Sequence, residues 1–144
     1  MTVEIVEFSE PDRARLNELY AEVRNANFSN YNAQDESLST FDNVTQGELI
    51  LVAKSSNSIV GFVSAWQPDN FIHNLYVDSN YQNQGIGIQL LNAMALKLSY
   101  PLTLKCLKEN IAATRFYKRH GWNVIGAGKS NDGDYLLFEY NGNE

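Results

Sequence analysis

Asn74-Leu75-Tyr76-Val77-Asp78-Ser79-Asn80-Tyr81-Gln82-Asn83-Gln84-Gly85-Ile86-Gly87 is the stretch whose reading decides the fold. The apolar run that ends at Val77 begins at Phe71 and has the length and residue types of a strand. After Gly87 come Ile88, Leu90, Leu91, Met94, Ala95 and Leu98 at helical spacing, with Asn92 and Lys97 on the other side. The stretch therefore reads strand, glycine loop, helix. The first turn of a helix has unpaired N–H groups and the positive end of the dipole, and glycines let an anion approach that backbone closely. Such a turn can hold a phosphate.

Spacing separates the glycine-loop motifs that could account for it. A dinucleotide fingerprint G-x-G-x-x-G needs a small residue where the chain has Leu90, and an acidic partner about 20 residues on, where it reads Lys105 to Lys108. Gly128-Lys129-Ser130 hints at a Walker A loop, but the leading glycine would fall at Asn123. The next residues, Asn131-Asp132-Gly133, form a hairpin turn and not a helix start.

The surviving pattern is Gln82-x-x-Gly85-x-Gly87, followed later by Asn110, Ala112, Ala113, Phe116, Tyr117, Gly121 and Trp122. In this order, with a strand candidate at Leu102–Leu107 between the two blocks, the chain resembles the GNAT superfamily of acyl-CoA-dependent N-acyltransferases. The likeness covers residues 71–125. It implies an α/β fold: one GNAT-type domain over residues 1–144, with a six- or seven-stranded, mixed, mostly antiparallel sheet splayed between strands 4 and 5 and flanked by about four helices. It also implies acetyl-CoA as co-substrate, a primary amine as acceptor, and no metal.

The whole chain is compatible with that. Its 144 residues suit one domain, and 44% hydrophobic with 19% charged residues is ordinary for a globular protein. No segment approaches the roughly 18 uninterrupted apolar residues of a membrane span, and Glu4, Glu7 and Glu10 stand where a secretory signal would be basic and then apolar. A single cysteine, Cys106, cannot form an internal disulfide, which fits a cytoplasmic protein. A net charge of −6 disfavours nucleic acid, since the basic residues cluster only at Lys105, Lys108, Arg115, Lys118 and Arg119. That cluster reads either as a solvated face or as help for a coenzyme phosphate. The same acidic balance favours a cationic acceptor, a small polyamine-like molecule or a protein or peptide amine.

In chain order, residues 2–8 alternate as a first strand, and Ser9, Pro11 and Asp12 open a helix carrying Leu16, Leu19, Tyr20 and Val23. Residues 26–47 lack a period and are expected to form a loop with one short helix near residues 38–45. Phe28, Tyr31 and Phe41 there are either acceptor contacts or pins to the core. Three strand candidates come next, at residues 48–53, 58–66 and 71–77, joined by short turns as an antiparallel meander. The passage from residue 71 to 107 is a crossover, so the fifth strand should run parallel to the fourth. Asn110 caps a helix that stops at Gly121, and residues 122–127 and 135–140 make a final hairpin.

Carried onto this sequence, the resemblance places the pantetheine arm on the backbone of Leu75, Tyr76 and Val77, and the pyrophosphate on the loop of Gln82, Asn83, Gln84, Gly85, Ile86 and Gly87. Asn110 is both a helix cap and a contact near the thiol. Tyr117 falls on the family tyrosine, whose hydroxyl can donate to the leaving sulfur, although it could also simply pack in the core. Since consecutive helix residues point about 100° apart, Phe116 and Tyr117 are expected to divide between core and cleft. His73 lies in the fourth strand near the position of an acidic base in some members, and its neutral imidazole can take a proton from the amine; a strand histidine paired with a neighbour is the other reading. The rival from another class is a non-catalytic acyl-CoA-binding or sensor domain. Monomer and homodimer are both compatible with the sequence.

Overall fold

The computed structural model describes residues 2–27 and 40–142, with the backbone alone at 25–27. Its elements run β1 (Glu4–Glu7), a 3₁₀ turn (Glu10–Asp12), α1 (Arg13–Asn27), α2 (Phe41–Val44), β2 (Leu49–Ser55), β3 (Ser58–Trp66), β4 (Phe71–Val77), α3 (Ile86–Ala95), β5 (Leu102–Leu107), α4 (Ile111–Arg119), β6 (Asn123–Ser130) and β7 (Gly133–Tyr140). Short 3₁₀ turns also precede and follow β4. All seven strands form one sheet in the order β1-β2-β3-β4-β5-β7-β6.

The first four strands are the expected antiparallel meander. β4 and β5 are parallel, as a right-handed crossover through α3 requires. The final hairpin turns at Asn131 and Asp132 and folds back so that β7, the last strand, lies inside against β5 and β6 takes the edge. Gly128, Lys129 and Ser130 are residues of that edge strand, paired with Tyr135, Asp134 and Gly133. They form no phosphate loop.

Two cores sandwich the sheet. On one face the buried row Leu16, Leu19, Tyr20 and Val23 of α1, spaced one helical turn at a time, packs with Phe41, Val52 and Phe62. Phe41 is fully buried, its ring edge-on to Phe62 at 5.0 Å between centroids. It is a pin, and it holds α2 to the sheet. Phe28 and Tyr31 lie outside the described residues. On the other face Ile86, Leu90, Leu91 and Met94 of α3 pack with Leu51, Val63, Ile72, Leu104, Tyr117 and Phe138. Among the described residues no helix is long and apolar enough to cross a membrane.

The feature that positions the site is an incomplete strand pair. β4 and β5 share only two register pairs, Phe71 with Thr103 and Ile72 with Leu104. Beyond them β4 stays bonded to β3 as far as Val77, while β5 stays bonded to β7 over its whole length. The facing edges of the two strands are therefore left without a ladder, and a cleft opens between them.

Candidate active site

The cleft is a cavity of about 770 Å³, bounded by β4 and β5 on its sides, the loop at residues 81–88 at one end, and α4 across it. Of the residues singled out from the sequence, His73, Leu75, Tyr76, Val77, Gln82, Asn83, Gly85, Ile86, Gly87, Asn110 and Tyr117 line it. Gln84 does not; its side chain is exposed. Phe116, Lys105, Arg119 and His120 line it as well.

Strand alternation decides what β4 presents. The Asp78 N–H donates to Val60 O of β3 at 2.8 Å, so two-residue alternation turns the backbone groups of Tyr76 toward β3 and those of Leu75 and Val77 toward the cleft. The side-chain amide of Gln82 reaches back and donates to Val77 O at 3.2 Å, which ties the loop to the end of the strand. Tyr76 instead directs its ring into the α1 core, edge-on to Tyr20 at 5.1 Å.

The loop is built for close backbone approach. Asn83 and Gly85 both have left-handed φ, 63° and 82°, and Gly85 is the N-cap of α3. The first helical bond is Gln89 N–H to Gly85 O, so the amides before it have no intrahelical acceptor. The left-handed Gly85 followed by the right-handed first residue of α3, Ile86, aims successive N–H groups to one side as an anion nest, to which the helix dipole adds. Gly87 faces Phe116: a Cβ at that position would meet the ring at 3.4 Å.

At the α4 side Asn110 accepts from the Ala113 N–H at 3.1 Å, so the cap is present, and the same residue lines the cavity. Phe116 and Tyr117 do not divide between core and cleft; both line the cavity, in edge contact at 5.3 Å. Tyr117 does both jobs, since its ring also packs on Trp122 and Phe138. Its hydroxyl has no hydrogen-bond partner among the described residues, and burial pushes its pKa well above the ordinary phenol value. It is held neutral, as an O–H donor. Burial likewise pushes the Cys106 thiol up to about 11, so it is no thiolate nucleophile at neutral pH.

His73 is placed by a defect. The β3–β4 register runs Ser64 with Asn74 and then Ala65 with Ile72, so His73 is the extra residue of a β-bulge. The bulge turns its ring to the α2 side, where Nδ1 lies 2.8 Å from Glu48 Oε2. The other oxygen of Glu48 accepts from Ser64 Oγ at 2.7 Å, Ser64 accepts from Asn74 Nδ2 at 2.8 Å, and Asn74 also donates to Val44 O at 3.2 Å. The hydrogen bond to Glu48 raises the His73 pKa against the lowering by burial, and the Val44 carbonyl adds to the rise. Glu48, Ser64 and Asn74 carry no sequence motif; only the register of three strands brings them together. Among the described residues no group of His, Cys, Asp and Glu could hold a metal ion.

A model of the acetyltransferase (GNAT) domain matches residues 46–124, more than half of the chain. No curated protein matches. Solved structures do, at identities that speak for the fold alone. A GCN5-related N-acetyltransferase from Rhodopseudomonas palustris superposes with a TM-score of 0.80 at 18% identity, over 98% of this chain and 96% of that one. The PaiA N-acetyltransferase of Thermoplasma acidophilum, in complex with coenzyme A, gives 0.80 at 20% identity over 98% and 99%. The apo form of YjaB from Escherichia coli gives 0.78 at 18% over 97% and 98%. The incomplete β4–β5 pair, the glycine loop at the start of α3 and the Asn110 to Trp122 block thus belong together, and the chain is an acetyltransferase of the GNAT family.

Proposed function

We propose that the protein moves an acetyl group from acetyl-CoA to a primary amine by direct attack within a ternary complex. The observation that carries this reading is the continuity of one cavity from the amide nest at Asn83 to Gly87, past the unladdered edge of β4, to Tyr117 and His73. The Thermoplasma acidophilum neighbour, with coenzyme A bound, supports the same use of this fold. Pantetheine contains two amides, and the free groups of Leu75 and Val77 can pair with them as a surrogate strand. The pyrophosphate then rests on the nest, with Asn110 near the thiol.

Transfer needs a neutral amine, a stabilised oxyanion and a protonated leaving group. Tyr117 serves the last: as the C–S bond breaks, its O–H donates to the sulfur. His73 serves the first, accepting the ammonium proton on Nε2 while Glu48 holds Nδ1. The amine nitrogen attacks the thioester carbonyl, the tetrahedral species expels the thiolate, and the products are an N-acetyl amine and coenzyme A.

Two measurements test this. In thermal melts, coenzyme A at about 100 times its dissociation constant adds roughly 2.7 kcal/mol, and stabilisation by ATP or NAD alone would overturn the coenzyme assignment. Free-thiol release with an amine panel should then give intersecting double-reciprocal lines; parallel lines would sink direct attack, and coenzyme binding without turnover of any amine would make the protein a sensor.

A further inference from the structure

The face of the sheet that carries His73 is opposite the one that carries α3. In β5 the residues Leu102, Leu104 and Cys106 pack into the α3 core, so alternation sends Lys105 to the other face. There its ammonium lies 4.9 Å from the Tyr135 ring centroid and 5.9 Å from that of Phe71. Phe71 is also the ring beside His73, at 6.1 Å between centroids. The ammonium and the imidazole thus flank one phenyl group at the crotch of the cleft, remote from the amide nest. Tyr135 is fixed in turn, because its ring lies over Gly128, where a Cβ would meet the hydroxyl at 2.5 Å.

Charges of both signs stand on this face. Glu48, the carboxylate nearest the imidazole, is committed to His73 and Ser64 and is 7% exposed. Glu139, on the same face two positions beyond the cross-strand partner of Lys105, makes no ion pair with it. Lys105 and Arg119 both line the cavity with no carboxylate within 4.0 Å among the described residues, and Lys105 is the one that shares a ring neighbour with His73. The ammonium is exposed, set against two rings at the cleft and without a counter-ion among those residues, so it is available to an anion.

We propose that the acceptor amine carries a carboxylate and that Lys105, set against Phe71 and Tyr135, binds it beside His73. This rests on the acceptor reading above and changes its charge class: the acceptor is an amino acid or a peptide-like amino acid, not a polyamine. Only binding is involved; the acetyl transfer itself is unaltered.

The test is acetyl-CoA-dependent thiol release with α-, β- and γ-amino acids, each paired with its primary amide. Amino acids should be acetylated with a KM about ten- to hundredfold below that of their amides. Lys105→Met should erase that discrimination and Lys105→Arg should restore part of it, with thermal melts confirming that both variants fold. Gly128→Ala, which displaces Tyr135, should weaken the discrimination in the same direction. Amides used as well as or better than amino acids, discrimination that survives Lys105→Met, or turnover of neither member of any pair would overturn the proposal. Calorimetry with acetyl-CoA on the same samples separates the failures: a protein that does not bind the coenzyme refutes the acetyl-CoA reading, whereas one that binds it and prefers amides refutes only the carboxylate.

Discussion

Glu48 and His73, 25 residues apart in sequence, meet at 2.8 Å through Oε2 and Nδ1, with the carboxylate side chain 7% exposed and the imidazole 44%. The contact fixes the tautomer: Nδ1 carries the proton toward the carboxylate, and Nε2 is the nitrogen left for an acceptor amine.

The same contact raises the His73 pKa, so it stabilises the folded state at pH values below the unfolded histidine value of about 6.5 and loses that contribution as pH rises through the folded value. Lys105, the other charge that acts on the ring, pulls the other way. Glu48→Gln should lower the His73 pKa, cost more stability at pH 5 than at pH 9, and move the acidic limb of kcat/KM to lower pH. The chain has two histidines, so ring C–H resonances followed by NMR report the shift directly. An unmoved His73 titration would show that Glu48 does not govern it.

Tyr117→Phe removes a hydroxyl that has no partner among the described residues, so the melting temperature and coenzyme affinity should be nearly those of the parent. Turnover should fall by about 10²-fold or more, the usual worth of a positioned general acid. Full activity in the variant would leave Tyr117 a core residue and nothing else.

Much of the fold is legible because it is local. Apolar runs of strand length between turn residues give β3 and β4, alternation gives β5, and the Asn110 cap with Gly121, at φ 90° just past the helix, brackets α4. The amide nest follows from Gly85 and Gly87. Glu48 is not legible, since it reaches His73 only through the joint register of β2, β3 and β4 and a bulge that no residue type announces. Lys105 is a case between the two. Its place in a basic cluster suggests the coenzyme phosphates, yet the alternation Leu102, Leu104, Cys106 already assigns it to the opposite face. The inside position of β7 also escapes local reading, because hairpin geometry fixes the pairing of β6 with β7 but not which of them joins β5.

Phe41 lies against Phe8 and Phe62 and is not itself among the residues that line the cavity. Phe41→Ala should cost about 3–5 kcal/mol in denaturant unfolding, the usual range for a buried phenylalanine. Its effect on kcat/KM, measured well below the melting temperature, should be small by comparison. A large kinetic defect with little loss of stability would make the residue an acceptor contact instead of a pin.

Gly85 separates backbone strain from side-chain clash. Its φ of 82° is left-handed, yet a Cβ built there meets nothing within 4 Å. Gly85→Ala should therefore destabilise by about 1–2 kcal/mol through conformation alone. Gly85→Asn should cost less, because asparagine visits the left-handed region more readily. Strain that is relieved by rotating the residue out of that region also rotates its amide out of the nest, so coenzyme A affinity should fall in the same order, alanine more than asparagine, in calorimetric titrations. Equal stability and equal affinity for all three proteins would mean that the loop does not need the left-handed residue to form its anion site.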